Sequence, residues 1–128
     1  MADAPPRKRF HHVGLRAYEQ QPKEHRVPPS KCWVTNPAYH PQRIEYLRYD
    51  ADSPISEAFM EAPHIAYAVD DLASHLEGKE IYLHPFDVGD PPFATVAFTF
   101  EDGLFIEYMQ FRPGRKWFDD FETQVFAP

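Results

Sequence analysis

Apolar and polar residues alternate along much of this chain with the period of two that sets one face of a β-strand against the other. In RFHHVGLRA, residues 9 to 17, Val13 and Leu15 share one face and His12, Gly14 and Arg16 the other. Further strands are predicted at KCWVT (31 to 35), RIEYLRY (43 to 49), PHIAYAV (63 to 69) and EIYLHPF (80 to 86). FATVAFTF and LFIEYMQF flank an Asp102-Gly103 pair, a strong hairpin signal. One helix is predicted over residues 70 to 78, capped by Asp70 or Asp71, carrying Leu72 and Leu76 and ending at Gly78. Residues 18 to 30 hold three prolines and no helical period and read as a long loop. The stretch DADSPISEAFMEAP reads as a linker with one helical turn near residues 56 to 60.

Composition agrees with a β-rich α+β domain. Eleven Phe, seven Tyr and two Trp can fill an interior with rings, and 14 Pro against 5 Gly argue against a helical bundle. At 128 residues a single domain is expected at 9 to 112, after a disordered lead-in at 1 to 8 and before a tail at 113 to 128 that covers apolar surface. With a net charge of −7 and basic runs only near the two ends, nucleic acid is a poor partner. The lone Cys32 excludes an intrachain disulfide and reads as a small buried residue, and there is no 18-residue apolar run. The expectation is a cytoplasmic protein without a membrane partner.

Two carboxylates interrupt the strand pattern. Glu45 lies in RIEYLRY and Glu107 in FIEYMQF, and a charge alternating with Ile, Tyr, Leu and Met is costly wherever that face is buried. The two runs belong to a repeat. His12-Val13-Gly14-Leu15-Arg16 corresponds to His64-Ile65-Ala66-Tyr67-Ala68, and Ile44-Glu45-Tyr46-Leu47 to Ile106-Glu107-Tyr108-Met109. Glu45 follows His12 by 33 residues and Glu107 follows His64 by 43, so the first half is shorter by about one helix.

On HHVGLRA, RIEYLRY, PHIAYAVDDL and AFTFEDGLFIEYMQF, over roughly residues 9 to 112, the chain resembles the vicinal oxygen chelate superfamily of glyoxalases, bleomycin-resistance proteins and extradiol dioxygenases. The resemblance implies two pseudo-symmetric βαβββ modules, about 9 to 50 and 62 to 112, curled into a half-open barrel around a divalent metal. The first module lacks its helix. The family's ligand positions fall on His12, Glu45, His64 and Glu107.

Chemistry points the same way. Imidazoles and carboxylates suit Zn, Ni, Mn, Co or Fe, four such ligands leave two positions of an octahedral ion open, and a cation compensates two inward carboxylates. His11 competes with His12, but strand neighbours face opposite ways, and the match to His64 favours His12. On this basis His11→Ala should leave metal content unchanged. Glu107→Gln should weaken metal binding and abolish metal-dependent turnover, yet leave the fold intact and stabilise the metal-free barrel by relieving two facing carboxylates.

The function expected is a metal-dependent isomerase, epimerase or lyase that passes through an enediolate-like intermediate, with Glu107 and Glu45 as the proton-carrying groups. An Fe(II) dioxygenase and a metal-free binding or resistance module are the alternatives. Arg16 and Arg43 are candidate contacts to an anionic or hydroxylated small-molecule substrate. Strand parity also allows His40, His84, Tyr49 and Met109 to line the pocket, while His25 and His75 read as solvated. A homodimer is expected, because the missing helix leaves apolar surface such as Trp33.

Overall fold

The computed structural model describes residues 7–118. Most of the expected lead-in, and the tail beyond residue 118, lie outside the described residues.

Among the described residues eight strands form a single sheet. They are β1 (Lys8–Arg16), β2 (His25–Val27), β3 (Cys32–Val34), β4 (Ile44–Tyr49), β5 (His64–Val69), β6 (Ile81–Gly89), β7 (Pro92–Glu101) and β8 (Leu104–Phe111). Two short helices, α1 (Glu57–Glu61) and α2 (Leu72–Leu76), complete the α+β fold. The strand order is β2-β3-β4-β1-β5-β8-β7-β6. From the central antiparallel β1–β5 pair, each half repeats the same outward sequence. β1 pairs in parallel with β4 and β5 in parallel with β8, followed by an antiparallel strand on each side. This is the paired-module, half-open barrel that the resemblance implies.

The β7–β8 hairpin turns on Asp102 and Gly103, both with positive φ (54° and 78°), as the Asp-Gly pair predicts. α1 begins at Ser56, whose hydroxyl accepts from the Phe59 amide. The helix predicted over 70 to 78 is shorter. The Asp71 side chain makes no cap bond; instead the Leu72 amide donates to Gln110 Oε1 at 2.8 Å, tying α2 to β8.

Residues 18 to 30 hold no α-helix, in agreement with the sequence, but they are not all loop. His25–Val27 pairs with Cys32–Val34, and a single 3-10 turn, Pro28–Ser30, links the two. A three-residue strand between prolines shows no alternation, so only the partner strand reveals it.

The helix difference decides which faces are buried. α2 covers the outside of the second module, where Leu72 packs with Val69, Ala97, Ile106 and Tyr108. β8 is therefore buried on both faces over Ile106–Met109. Among the described residues the first module has no such cover, and Val13, Leu15, Ile44 and Tyr46 are only half-buried. Its better-buried face is the inner one, with His12, Gly14, Glu45 and Leu47. The main core lies inside the curl.

Trp33 is not bare, since the guanidinium groups of Arg26 and Arg48 lie 5.2 and 5.7 Å from its ring centre. His75 is not solvated; at 4 % exposure it packs against the Tyr108 ring beneath α2. Among the described residues no helix is long and apolar enough to cross a membrane.

Candidate metal centre

His12 and His64 come from the two central strands, and Glu45 and Glu107 from the strands beside them. All four are buried. One ligand atom from each lies within 4.8 Å of all the others. His12 Nε2 stands 3.2 Å from Glu107 Oε1 and 3.4 Å from Glu45 Oε1, and His64 Nε2 stands 3.2 and 3.9 Å from the same two oxygens.

Strand register explains the convergence. Gly14 faces His64 across the β1–β5 pair and Glu45 across the β1–β4 pair, while Ala66 faces His12 and Glu107 in the same way. A small residue two places after each histidine leaves room for the opposite imidazole. At Gly14 the room is complete, because a Cβ built there would overlap the His64 ring.

The residues fit a divalent cation. Both Nε2 atoms are fully buried without a hydrogen-bond partner of acceptable geometry, although carboxylate oxygens surround them. Ligands bound at ~2.1 Å and at right angles stand ~3 Å apart, close to the separations seen. Without a cation the cluster behaves as an ion pair. Burial disfavours a charge on His12, but Glu45 and Glu107 outweigh it and push its pKa up to about 10. Burial likewise opposes the charge on Glu107, yet the imidazoles of His12 and His64, each 3.2 Å from Oε1, hold its pKa down to about 2. Ligation needs the neutral imidazole, so a bound cation must displace the proton of His12.

The sheet is not regular at His11. The β1–β5 register skips it, pairing Phe10 with Tyr67 and His12 with Ala66, so His11 is the bulged residue. Parity correctly sends His12 inward, but the bulge leaves His11 half-buried beside it. Its Nδ1 lies 2.7 Å from His12 Nδ1, and its ring packs near Phe111 and Trp117. Burial, then the charges of His12 and Arg43, lower its pKa to about 3.

Trp117 has no signal in the sequence beyond being an aromatic in the tail. It is 5 % exposed, packs against both His11 and His12, and donates from Nε1 to Glu45 Oε2 at 3.0 Å. Asn36 Nδ2 donates to its carbonyl at 2.7 Å. In the described part of the tail Trp117 and Phe118 pack into the main core, and Trp117 is also a site residue that no motif marks.

A cavity of about 40 Å³ opens beside Glu45 and Glu107. It has room for roughly three waters. Its wall is mostly apolar, with Leu47, Phe59, Val96 and Phe98 among the lining side chains and Tyr49, Ser30 and Cys32 as polar exceptions. The two arginines proposed as substrate contacts are not in that wall. Arg16 is drawn away by Glu57 and Glu61 of α1, and Arg43 Nε donates to the His11 carbonyl at 2.6 Å. His40 sits against Tyr46 and His84 is exposed, while Met109 is core; of the parity candidates Tyr49 lines the cavity.

Cys32 is 2 % exposed, lies 3.0 Å from the Ser30 hydroxyl and has its thiol pushed up to about 12 by burial. Native protein at pH 8 is expected to resist iodoacetamide and to be alkylated only after unfolding. Fast modification of the folded protein, followed by mass spectrometry, would contradict this placement.

No family model matches the chain, and no curated protein matches it. Solved structures do. The hypothetical protein BH1468 from Bacillus halodurans C-125 superposes with a TM-score of 0.62 at 16% identity, over 85% of this chain and 98% of that one. A triple mutant of 4-hydroxymandelate synthase from Streptomyces coelicolor matches with a TM-score of 0.47 at 15% identity, over 91% of this chain and 52% of that one. The likeness to the first concerns the fold.

Proposed function

We propose that this chain, with its vicinal oxygen chelate fold, is a divalent-metal-dependent enzyme of the isomerase, epimerase or lyase kind. It acts on a small uncharged molecule with an apolar body. The observation that carries the reading is the pair of buried imidazole Nε2 atoms, without hydrogen-bond partners, aimed with two carboxylates at one point beside an apolar cavity.

His12, His64, Glu45 and Glu107 would hold the ion, which supplies Lewis acidity toward the oxygens of the substrate when bound. Glu45 is fixed by the Trp117 indole, whereas Glu107 is held only by the two imidazoles among the described contacts. Glu107 is thus the carboxylate freer to turn, and we assign it the proton transfer, taking a proton from the carbon beside the substrate's oxygen and returning it to a neighbouring atom. Glu45 is the fixed ligand. Among the described residues no Lys or Arg lines the cavity, so a carboxylate or phosphate substrate would bring an uncompensated charge into an apolar site.

Elemental analysis of protein purified without added ions, followed by hydrogen–deuterium exchange into neutral α-hydroxyketones watched by NMR, tests this reading. Metal near one equivalent and metal-dependent exchange are expected. Iron with oxygen consumption and no exchange would favour the dioxygenase, and no affinity for any divalent ion would favour the binding module. The half-buried outer face of the first module also supports a homodimer. Light scattering should give twice the chain mass, and a monomer at micromolar concentration would remove that part.

A further inference from the structure

We propose that His11 is a positioning residue: its Nδ1 accepts the Nδ1 hydrogen of His12 and holds His12 in the tautomer whose Nε2 lone pair faces His64, Glu45 and Glu107. This rests on the reading of those four residues as a metal shell. The two Nδ1 atoms are 2.7 Å apart, so one carries the hydrogen and the other offers a lone pair. If His11 donated, the neutral His12 would have to carry its hydrogen on Nε2 and point it at the shell, where a ligand needs a lone pair. Only donation by His12 frees that nitrogen.

The bulge that creates this contact is held in place. Arg43 has a positive φ of 56°, its Nε donates to the His11 carbonyl at 2.6 Å, and its own carbonyl accepts from the Val13 amide at 3.0 Å. Arg43 therefore clamps the backbone on both sides of His12. Phe111 and Trp117 flank the His11 ring, with centroids 5.6 and 6.2 Å away, and limit its rotation. Among the described residues the second module has no counterpart. Pro63 precedes His64, and the His64 ring is instead confined between Phe59 and Phe98, at 5.5 and 5.3 Å. One ligand is oriented by a hydrogen bond and the other by aromatic walls.

The parity argument, which makes His11→Ala silent for metal content, assumes a regular strand and fails at the bulge. The test uses the full chain with zinc alone, with affinity from chelator competition and ring tautomers from 15N NMR of His12. His11→Ala is expected to weaken zinc binding roughly 10- to 100-fold, the usual cost of losing an outer partner of a metal-bound histidine. His11→Gln, whose carbonyl can accept the same hydrogen, should recover most of that loss. Wild-type protein should show the hydrogen on His12 Nδ1 and an unprotonated Nδ1 on His11, with and without zinc. A folded His11→Ala protein that binds zinc like wild type, or a His12 without an Nδ1 hydrogen, overturns the proposal. If His11→Ala does not fold, the wild-type tautomer and His11→Gln decide. Wild-type protein that binds no zinc removes the metal reading, while the tautomer spectrum still decides the hydrogen bond.

Discussion

Replacing Gly14 by alanine is expected to remove divalent-metal binding while the protein still folds. The added methyl group would occupy the space of the His64 imidazole. Backbone on the central strand cannot give way easily, because β1 is hydrogen-bonded to β4 on one side and β5 on the other. The side chain must therefore move. Overpacking of this kind costs ~1–3 kcal/mol of stability. The functional loss should be larger, at least about 100-fold in turnover, the scale on which an ångström of misplacement acts. Ala66→Gly at the mirror position adds no bulk and should keep the metal, at roughly 0.5–1 kcal/mol for the looser backbone. Thermal unfolding and zinc titration of both variants check the pair. Equal zinc affinity in Gly14→Ala and wild type would show that His64 is not required where the fold puts it.

Glu107→Gln is expected to lose metal-linked stabilisation and about 10²- to 10⁴-fold in turnover, the range for a general base. In wild type, ligand at a hundred times its Kd stabilises the fold by about 2.7 kcal/mol. That increment should vanish in the variant. The metal-free protein should also lose stability, by ~1–3 kcal/mol. This reverses the expectation from sequence, which pictured two carboxylates facing each other across an empty barrel. The two imidazoles stand between them, and His12 and His64 both contact Glu107 Oε1 at 3.2 Å. Removing the carboxylate strands two buried rings instead of relieving a repulsion. Melting curves with and without EDTA decide the point, and a variant that melts higher than wild type in EDTA would restore the sequence-based view.

The sequence revealed the architecture because repetition exposes what a single strand hides. His-x-small and Ile-Glu-Tyr each occur twice, and duplication turned two awkward glutamates into a matched pair. The same feature located Gly14 and Ala66, whose smallness was visible although its purpose, clearing space for the opposite imidazole, needed the register. What stayed hidden depends on irregularity or distance. A β-bulge carries no pattern in HHV, so parity could not place His11 beside His12. Arg43 looked like a pocket cation but serves as a backbone clamp, a role set by its positive φ and not by its charge. Trp117 reaches Glu45 across 72 positions of sequence, a contact that no local spacing encodes. His75 looked like a solvated residue on a helix face, and only packing on Tyr108 shows which side faces in.

The central claim is that four side chains converge on one divalent ion. Anomalous diffraction from a crystal soaked in zinc, with data on both sides of the absorption edge, tests it most directly. The account predicts a single strong peak inside the curl, about 2.0–2.3 Å from His12 Nε2, His64 Nε2 and one oxygen each of Glu45 and Glu107, with His11 unligated. A fully occupied peak elsewhere, or an empty centre with His12 Nε2 turned away from Glu107, would contradict it.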